Sequence, residues 1–197
     1  MAASRAQQVG IWTIAIVLFV GTIGSFLILV LQNDNAAKDT ATSQSDLAAQ
    51  IAEQTKAANE QAKTNADSSE GFDGYTAEEF DAASATALKK EILVAGTGDE
   101  VKSSDSIKSS YFGWTSDGKI FDSSKKKGAD DAPVTFPLSG VIKGWTDGLA
   151  GQRVGSVVKL TIPADQAYGS TGSGVIPADA PLQFIVKIES IENTSAQ

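Results

Sequence analysis

Apolar and polar residues divide the chain into three stretches of different character. Residues 11–31 form one continuous apolar run without a charge, whereas residues 32–70 are dense in Ala, Gln, Asn, Thr, Asp and Lys and contain no aromatic residue, glycine or proline. After Leu88, short apolar runs alternate with turns that contain glycine. The pattern therefore predicts an apolar helix, a polar spacer and a domain rich in β-strands.

The apolar run over residues 11–31 has the length of a membrane span. As an α-helix it would be roughly 31 Å long, which matches the hydrocarbon thickness of a bilayer. A cleaved signal peptide is the alternative, but its apolar region is usually about 7–15 residues long. We therefore expect an N-terminal tail over residues 1–10 and an uncleaved transmembrane helix over residues 11–31 that contacts the lipid bilayer.

Charges beside this span bear on its orientation. Arg5 precedes the span, while Asp34, Lys38 and Asp39 are the first charges after it. The slight positive bias on the N-terminal side favours a cytoplasmic amino terminus. The expected location is the cell membrane, with a single span and a C-terminal domain outside the cytoplasm.

The polar stretch is predicted to be a spacer over residues 32–71. Its composition is too polar to bury a core, yet it contains nothing that breaks a helix. Leu47, Ile51 and Ala58 form at most a faint apolar stripe, and no heptad repeat extends it. A partly helical or disordered spacer is therefore favoured over a coiled-coil partner site.

Residues 72–197 are predicted to form one domain dominated by antiparallel strands. Residues 157–162 and 184–191 alternate between apolar and polar side chains, and residues 116–119 have the composition of a hairpin turn. Among the predicted strands, residues 140–150 contain the only predicted helix. Because an antiparallel sheet needs cover on one face, this short helix is expected to pack on the sheet in an α+β fold.

The domain begins with the aromatic residues Phe72, Tyr75 and Phe80, which we expect to pack on the sheet. Thr76 and Glu79 have the spacing of a capping box, which predicts the start of a short helix. A partner-binding role for these aromatic side chains is the alternative.

Composition excludes several classes of chemistry. The chain has no cysteine and no histidine, so disulfides, thiolate chemistry and a hydrolase built on histidine with serine or cysteine are excluded. We expect neither a metal nor a cofactor. The net charge of −8 and the pI near 4.5 oppose contact with phosphate backbones, so nucleic acid is not expected as a partner.

Six segments of the C-terminal half carry motifs in a fixed order. They are Tyr-Phe-Gly-Trp-Thr-Ser-Asp-Gly-Lys-Ile-Phe-Asp-Ser-Ser (111–124), Val-Ile-Lys-Gly-Trp-Thr-Asp-Gly-Leu (141–149), Val-Gly-Ser-Val-Val-Lys-Leu-Thr-Ile-Pro (154–163), Ala-Tyr-Gly (167–169), Gly-Val-Ile-Pro (174–177) and Leu-Gln-Phe-Ile-Val-Lys-Ile (182–188). In this order they resemble FKBP-type peptidyl-prolyl cis-trans isomerases. The resemblance implies a five-stranded antiparallel sheet curled around one short helix, and an enzyme that assists protein folding.

The resemblance also implies a pocket for a proline ring. Trp145 would form its floor, Tyr168 would donate its hydroxyl to the substrate, and Asp122 would be the one carboxylate in the pocket. Ile142 would offer its backbone N–H to a substrate carbonyl. The remaining residues implied as walls or lining are Tyr111, Phe121, Val134, Phe136, Val141, Ile176 and Phe184.

Three positions depart from the family pattern. Val134 stands where many members carry an aromatic wall, and Ser173 stands where an aromatic residue or histidine is common. Lys127 stands near a frequent arginine that pairs with the aspartate, and a lysine cannot form the same bidentate fork. These departures bear on the substrate preference, the catalytic rate and the binding of the macrolide inhibitors that the resemblance suggests as ligands.

Prolyl isomerisation needs no residue type that this chain lacks. No bond is made or broken, and a thousandfold acceleration needs only about 4 kcal/mol of preferential stabilisation of the twisted amide. The sequence therefore predicts a membrane-anchored isomerase that acts on proline-containing polypeptides. The alternatives are a non-catalytic module that binds proline-containing segments, and a scaffold protein.

Overall fold

The computed structural model of the chain describes residues 40–72 and 74–192. The predicted tail over residues 1–10, the predicted membrane helix over residues 11–31 and the start of the predicted spacer lie outside the described residues. Within the described ranges, no helix is both long enough and apolar enough to cross a bilayer.

Helix α1, Thr40–Ser68, occupies most of the polar stretch. A helix is favoured there because the sequence is rich in Ala and Gln and lacks glycine and proline. The helix ends where the Ser69 hydroxyl donates to the Asn65 carbonyl oxygen at 2.7 Å. Residues 52–61 are exposed, whereas Ala62 is buried, so within residues 48–68 the close packing on the domain lies at the C-terminal turns.

Six strands form one antiparallel sheet in the order β1-β5-β6-β2-β3, with β4 pairing with β2. Alternation of apolar and polar residues in β5 and β6 places one set of side chains in the main core, as expected for such strands. The strands are β1 (Lys89–Val94), β2 (Ser106–Thr115), β3 (Ile120–Ser123), β4 (Val134–Pro137), β5 (Val157–Ile162) and β6 (Leu182–Ile191).

The long strand β2 explains why the sheet has six strands and not the expected five. One edge of β2 pairs with β6, while the other edge pairs with β4 over residues 106–109 and with β3 over residues 112–114. β3 and β4 therefore lie end to end on one edge, separated by residues 124–133. The predicted antiparallel sheet with one short helix is confirmed. The expected count of five strands is wrong, because β4, with only four residues, is too short to show an alternating pattern.

Helix α2, Lys143–Leu149, covers one face of the sheet and lies within the predicted helical region. It packs closely because Gly144 faces β5: a Cβ atom on Gly144 would lie 2.3 Å from Cγ2 of Ile162. Trp145, the next residue of the helix, is fully buried. The glycine therefore allows the helix to place a large indole against the sheet.

The opposite face of the sheet is covered by the segment that follows α1. Phe72 packs edge-on against Phe112 of β2, with ring centroids 5.5 Å apart. The indole N–H of Trp114 donates to the Glu78 carbonyl oxygen at 2.9 Å. The predicted packing of these aromatic residues on the sheet is confirmed.

The short helix predicted to start at Thr76 is wrong. Residues 75–80 have no regular secondary structure, and a 3-10 turn follows at Ala82–Ser84. The Asp81 carboxylate caps this turn by accepting from the Ala83 N–H at 3.0 Å. Burial of aromatic side chains against the sheet outweighs the weak helical preference of the capping box.

Candidate functional site

Aromatic side chains from β2, β3, β4, α2 and β6 meet around the indole of Trp145. The rings of Tyr111, Phe136 and Phe184 each lie 5.4 Å from the indole, edge-on to it. Phe121 joins the cluster through Phe184, at 5.5 Å. Edge-to-face ring pairs are a favoured arrangement, worth about 0.5–1.5 kcal/mol each beyond the buried area. The predicted floor and aromatic walls are thus adjacent.

The other apolar residues predicted to line the pocket lie in the same cluster. Ile142 and Ile176 are buried in it, while Val134, Val141 and Tyr168 are partly buried and pack against it. The fold therefore brings together side chains that the chain separates widely. Their contact with a substrate remains a prediction.

The Asp122 carboxylate lies beside the ring cluster at the end of β3 and is 1% exposed. Its Oδ2 accepts from the Tyr111 hydroxyl at 2.5 Å. Its Oδ1 accepts from the Asn65 side-chain amide at 2.6 Å, from the Ser123 N–H at 2.9 Å and from Lys126 Nζ at 3.4 Å. A buried carboxylate is costly unless such donors surround it. The four donors explain how Asp122 is accommodated.

The lysine nearest Asp122 is not the one that the sequence indicated. Lys126 forms the ion pair with Asp122, whereas Lys127 Nζ donates to the Asp67 carbonyl oxygen at 2.7 Å. The pKa of Lys126 is lowered from its usual value because burial disfavours the ammonium, although Asp122 opposes that effect. Adjacent side chains in a turn point in different directions. The position in the sequence alone therefore did not identify which lysine pairs with Asp122.

Burial raises the pKa of two tyrosine hydroxyls in the site. The pKa of Tyr111 lies well above its ordinary value of 10.0, because the ring is buried and because the Asp122 charge disfavours the phenolate. The pKa of Tyr168 is raised by burial and then by Asp122. Both hydroxyls therefore remain protonated donors at neutral pH.

This pKa shift predicts alkaline destabilisation. Because the folded state raises the pKa of Tyr111 and Tyr168, their contribution to stability is complete below about pH 10 and is lost as the pH rises further. We expect the denaturant concentration at the unfolding midpoint to decrease as the pH rises above about 10. The lowered pKa of Lys126 has the opposite effect on stability over this range. Chemical unfolding across this range is the measurement, and Tyr168→Phe should make the fall shallower. An identical fall in both proteins would contradict the assignment.

Two donors of the site have no acceptor among the described residues. The indole N–H of Trp145 is buried without a partner, and the backbone N–H of Ile142 donates no hydrogen bond. A buried donor without a partner costs about 1–3 kcal/mol. The Ile142 N–H, just before α2, is therefore suited to bind a carbonyl oxygen of an incoming polypeptide, whereas the Trp145 N–H is enclosed in the core.

Sequence reasoning missed Asn65, which reaches Asp122 from α1. Asn65 lies in a polar helical stretch with no motif around it. The contact joins residues far apart in the chain. Only the docking of α1 beside β3 reveals it.

The described residues offer no group of three or more aspartate, glutamate, histidine or cysteine side chains that could hold a metal ion. Asp122 is instead surrounded by hydrogen-bond donors and one ammonium.

Comparison with known proteins identifies what this domain resembles. The model of the family described as FKBP-type peptidyl-prolyl cis-trans isomerase matches residues 98–189. A protein named FKBP-type peptidyl-prolyl cis-trans isomerase FkpA from Aeromonas hydrophila is 42% identical over 111 residues, which cover 56% of this chain and 40% of that protein. FK506-binding protein 2 of Yarrowia lipolytica is 42% identical over 97 residues, which cover 48% of this chain and 65% of that protein.

Among solved structures, a peptidyl-prolyl cis-trans isomerase from Pseudomonas syringae pv. tomato is 31% identical, with a TM-score of 0.49. The alignment covers 71% of this chain and 96% of that structure. The chain spans only 40% and 39% of the lengths of the FkpA proteins from Aeromonas hydrophila and Escherichia coli strain K12.

Proposed function

Residues 98–189 form an FKBP-type peptidyl-prolyl cis-trans isomerase domain, and from this premise we propose that the chain accelerates cis-trans isomerisation of prolyl bonds in polypeptides. The observation that supports the proposal most directly is the ring cluster around Trp145, with the Asp122 carboxylate and the unpaired Ile142 N–H beside it. Assistance to the folding of polypeptides is the expected role.

The proposed mechanism stabilises a twisted amide. Resonance keeps the prolyl bond planar and gives it a rotation barrier of about 18–20 kcal/mol. In the planar amide, charge is separated between nitrogen and oxygen, so removal of water destabilises the planar form more than the twisted form. An apolar ring cluster supplies surroundings from which water is excluded. Preferential stabilisation of the twisted amide by only about 4 kcal/mol gives a thousandfold acceleration.

Polar groups at the edge of the cluster would hold the substrate. The Ile142 N–H would donate to a substrate carbonyl oxygen, and the Tyr168 hydroxyl would donate to another. Asp122 would bias the electron distribution of the amide and hold the Tyr111 hydroxyl, which donates to it. Trp145 would lie beneath the proline ring.

A coupled isomerisation assay on the full chain tests this proposal. Tyr168→Phe should lower kcat/KM up to about tenfold, because it removes one hydrogen bond worth about 0.5–1.5 kcal/mol while keeping the ring. The folded fraction, measured by circular dichroism, should stay unchanged. Background rates for the unmutated chain would contradict catalysis.

A non-catalytic module that holds proline-containing segments is the second candidate, because Val134 stands at a wall position within the cluster. Calorimetric binding of a proline-containing peptide together with background isomerisation would select this candidate. Inhibition by the macrolide FK506, after which some relatives are named, would show that a macrolide enters the same site.

We also propose that the domain is attached to a membrane through residues 11–31 and lies outside the cytoplasm. Support comes from the uncharged apolar run and from Arg5 before it. Fusion of reporters that are active on only one side of the membrane to the C-terminus distinguishes the two orientations. Recovery of the full chain in the soluble fraction would contradict the anchor.

A further inference from the structure

The deepest side chains of the candidate site are buried, although Val134, Val141 and Tyr168 at its edge are only partly buried. Trp145 is 0% exposed, Phe121 is 3% exposed and Ile176 is 4% exposed. Asp122 is equally inaccessible, at 1%. A substrate has to touch these side chains to be stabilised by them, so the groups that cover them have to give way as a polypeptide binds.

The C-terminal turns of α1 extend along the rim of the site. On one side Ala62 contacts the flap loop, residues 169–174: a Cβ atom on Gly174 would lie 2.7 Å from the Ala62 Cβ. In the middle, the Asn65 amide donates to Asp122. On the other side, Lys127 donates from its Nζ to the Asp67 carbonyl oxygen and from its backbone N–H to the Ser68 carbonyl oxygen, both at 2.7 Å.

The Asn65 side chain fills one hydrogen-bonding position on the Asp122 carboxylate. Its side-chain amide lies 2.6 Å from Oδ1 of the carboxylate predicted to act on the prolyl substrate. The prolyl nitrogen carries no hydrogen, but the backbone N–H of a neighbouring residue in a polypeptide is an amide donor comparable to the asparagine side chain. The helix therefore fills the acceptor position with a group that resembles the backbone of a substrate.

We propose that residues 62–68 of α1 are an internal occupant of the site, and that Asn65 sets how readily a proline-containing polypeptide displaces them. The proposal rests on the proposed function of the same pocket. It assigns a role to a residue outside the range 98–189 that the family model matches.

The described contacts of α1 with the rim lie at its C-terminal end. Residues 52–61 of α1 are exposed, so the helix is held chiefly by its last turns. Beyond the helix, Ser69 and Phe72 are buried against the domain, at 5% and 2% exposure. The turns can therefore separate from the rim while the following segment stays attached.

A route to the site lies beside the helix. A groove of about 770 Å³ runs between α1, the turn between β2 and β3, and residues 175–180. Lys63 and Ala66 of the helix line it, and Phe121 of the ring cluster forms part of its wall. A polypeptide lying in this groove would contact the edge of the cluster and the helix together.

Two substitutions on α1 test the inference in the full chain. Asn65→Ala removes the amide that occupies Asp122, and Ala62→Glu places a charge against the flap loop. Each should lower Kd for a short proline-containing peptide and raise kcat/KM, both by about tenfold, because apparent affinity rises with the fraction of open molecules. Matched controls on the exposed part of the same helix, Asn59→Ala and Ala58→Glu, should leave both quantities unchanged.

Hydrogen exchange provides a second measurement. Adding the peptide to the unmutated chain should accelerate exchange of the amides of residues 62–68, because the peptide displaces these turns. Unchanged or slower exchange would overturn the inference, since it would show that the turns stay in place when the peptide binds.

The outcomes separate this inference from the proposed function. A lower kcat/KM in Asn65→Ala, with the unmutated chain active, would overturn the inference and make Asn65 a positioning residue for Asp122. Tighter peptide binding in both α1 variants with background isomerisation would overturn catalysis and leave the inference standing. Absence of peptide binding in every version would overturn both.

Discussion

Replacing Trp145 with alanine is expected to lower the free energy of unfolding by about 3–5 kcal/mol and to reduce isomerisation to background. The side chain is fully buried and its indole contacts three other rings, so alanine would leave a large cavity in the main core. The same change removes the floor of the proposed pocket. Denaturant unfolding and the coupled isomerisation assay measure the two effects.

Trp114 provides a matched control for this prediction. It is also fully buried, but it lies on the opposite face of the sheet, stacked on Phe112 with ring centroids 5.2 Å apart. Trp114→Ala should cost a similar free energy of unfolding while the folded fraction keeps its kcat/KM. Equal losses of kcat/KM in the two variants would show that activity follows stability alone, and the assignment of Trp145 to the pocket would fail.

Replacing Asp122 with leucine is expected to cost about 3–5 kcal/mol of stability, because it removes one partner of a buried charged cluster. Tyr111, Ser123 and Asn65 would each keep a donor without its acceptor. Loss of a charged hydrogen-bond acceptor, worth about 1.5–3 kcal/mol, should also lower kcat/KM by ten- to a hundredfold if the carboxylate acts on the substrate.

Asp122→Asn separates the charge from the hydrogen bonds. Asparagine has nearly the same shape and retains one acceptor oxygen, so its cost in unfolding free energy should be clearly smaller than that of leucine. The kcat/KM of Asp122→Asn measures how much of the contribution of Asp122 to catalysis depends on its negative charge. Full activity in Asp122→Asn would limit the carboxylate to a structural role, with Tyr111 and Asn65 as the groups that it holds.

The core of the domain could be predicted because its pattern is local. Alternation in β5 and β6, the hairpin turn before β3 and the composition around α2 each indicate one element without reference to the others. Motif order then implied a pocket, and its predicted lining residues do lie in one cluster.

Contacts between distant segments could not be read in the same way. Neither the pairing of β4 with β2 nor the contact of Asn65 with Asp122 has a signal at its own position, because each depends on how segments far apart in the chain dock. The choice of Lys126 over Lys127 depends on the path of a turn. The contacts that form the rim of the site and cover Asp122 could therefore be identified only from the three-dimensional structure.

The division of one sheet edge between β3 and β4 has a consequence for how the domain can vary. Ser124 still pairs with Tyr111 of β2, and Asp131 accepts from the Ser124 hydroxyl, so only residues 125–130 form an excursion whose length the ladder does not constrain. Insertions or deletions in this excursion could reshape the rim and the hold on α1 through Lys127 while the strand register stays the same. The interrupted edge thus allows changes in this excursion to alter the accessibility of the candidate site without altering the fold of the sheet.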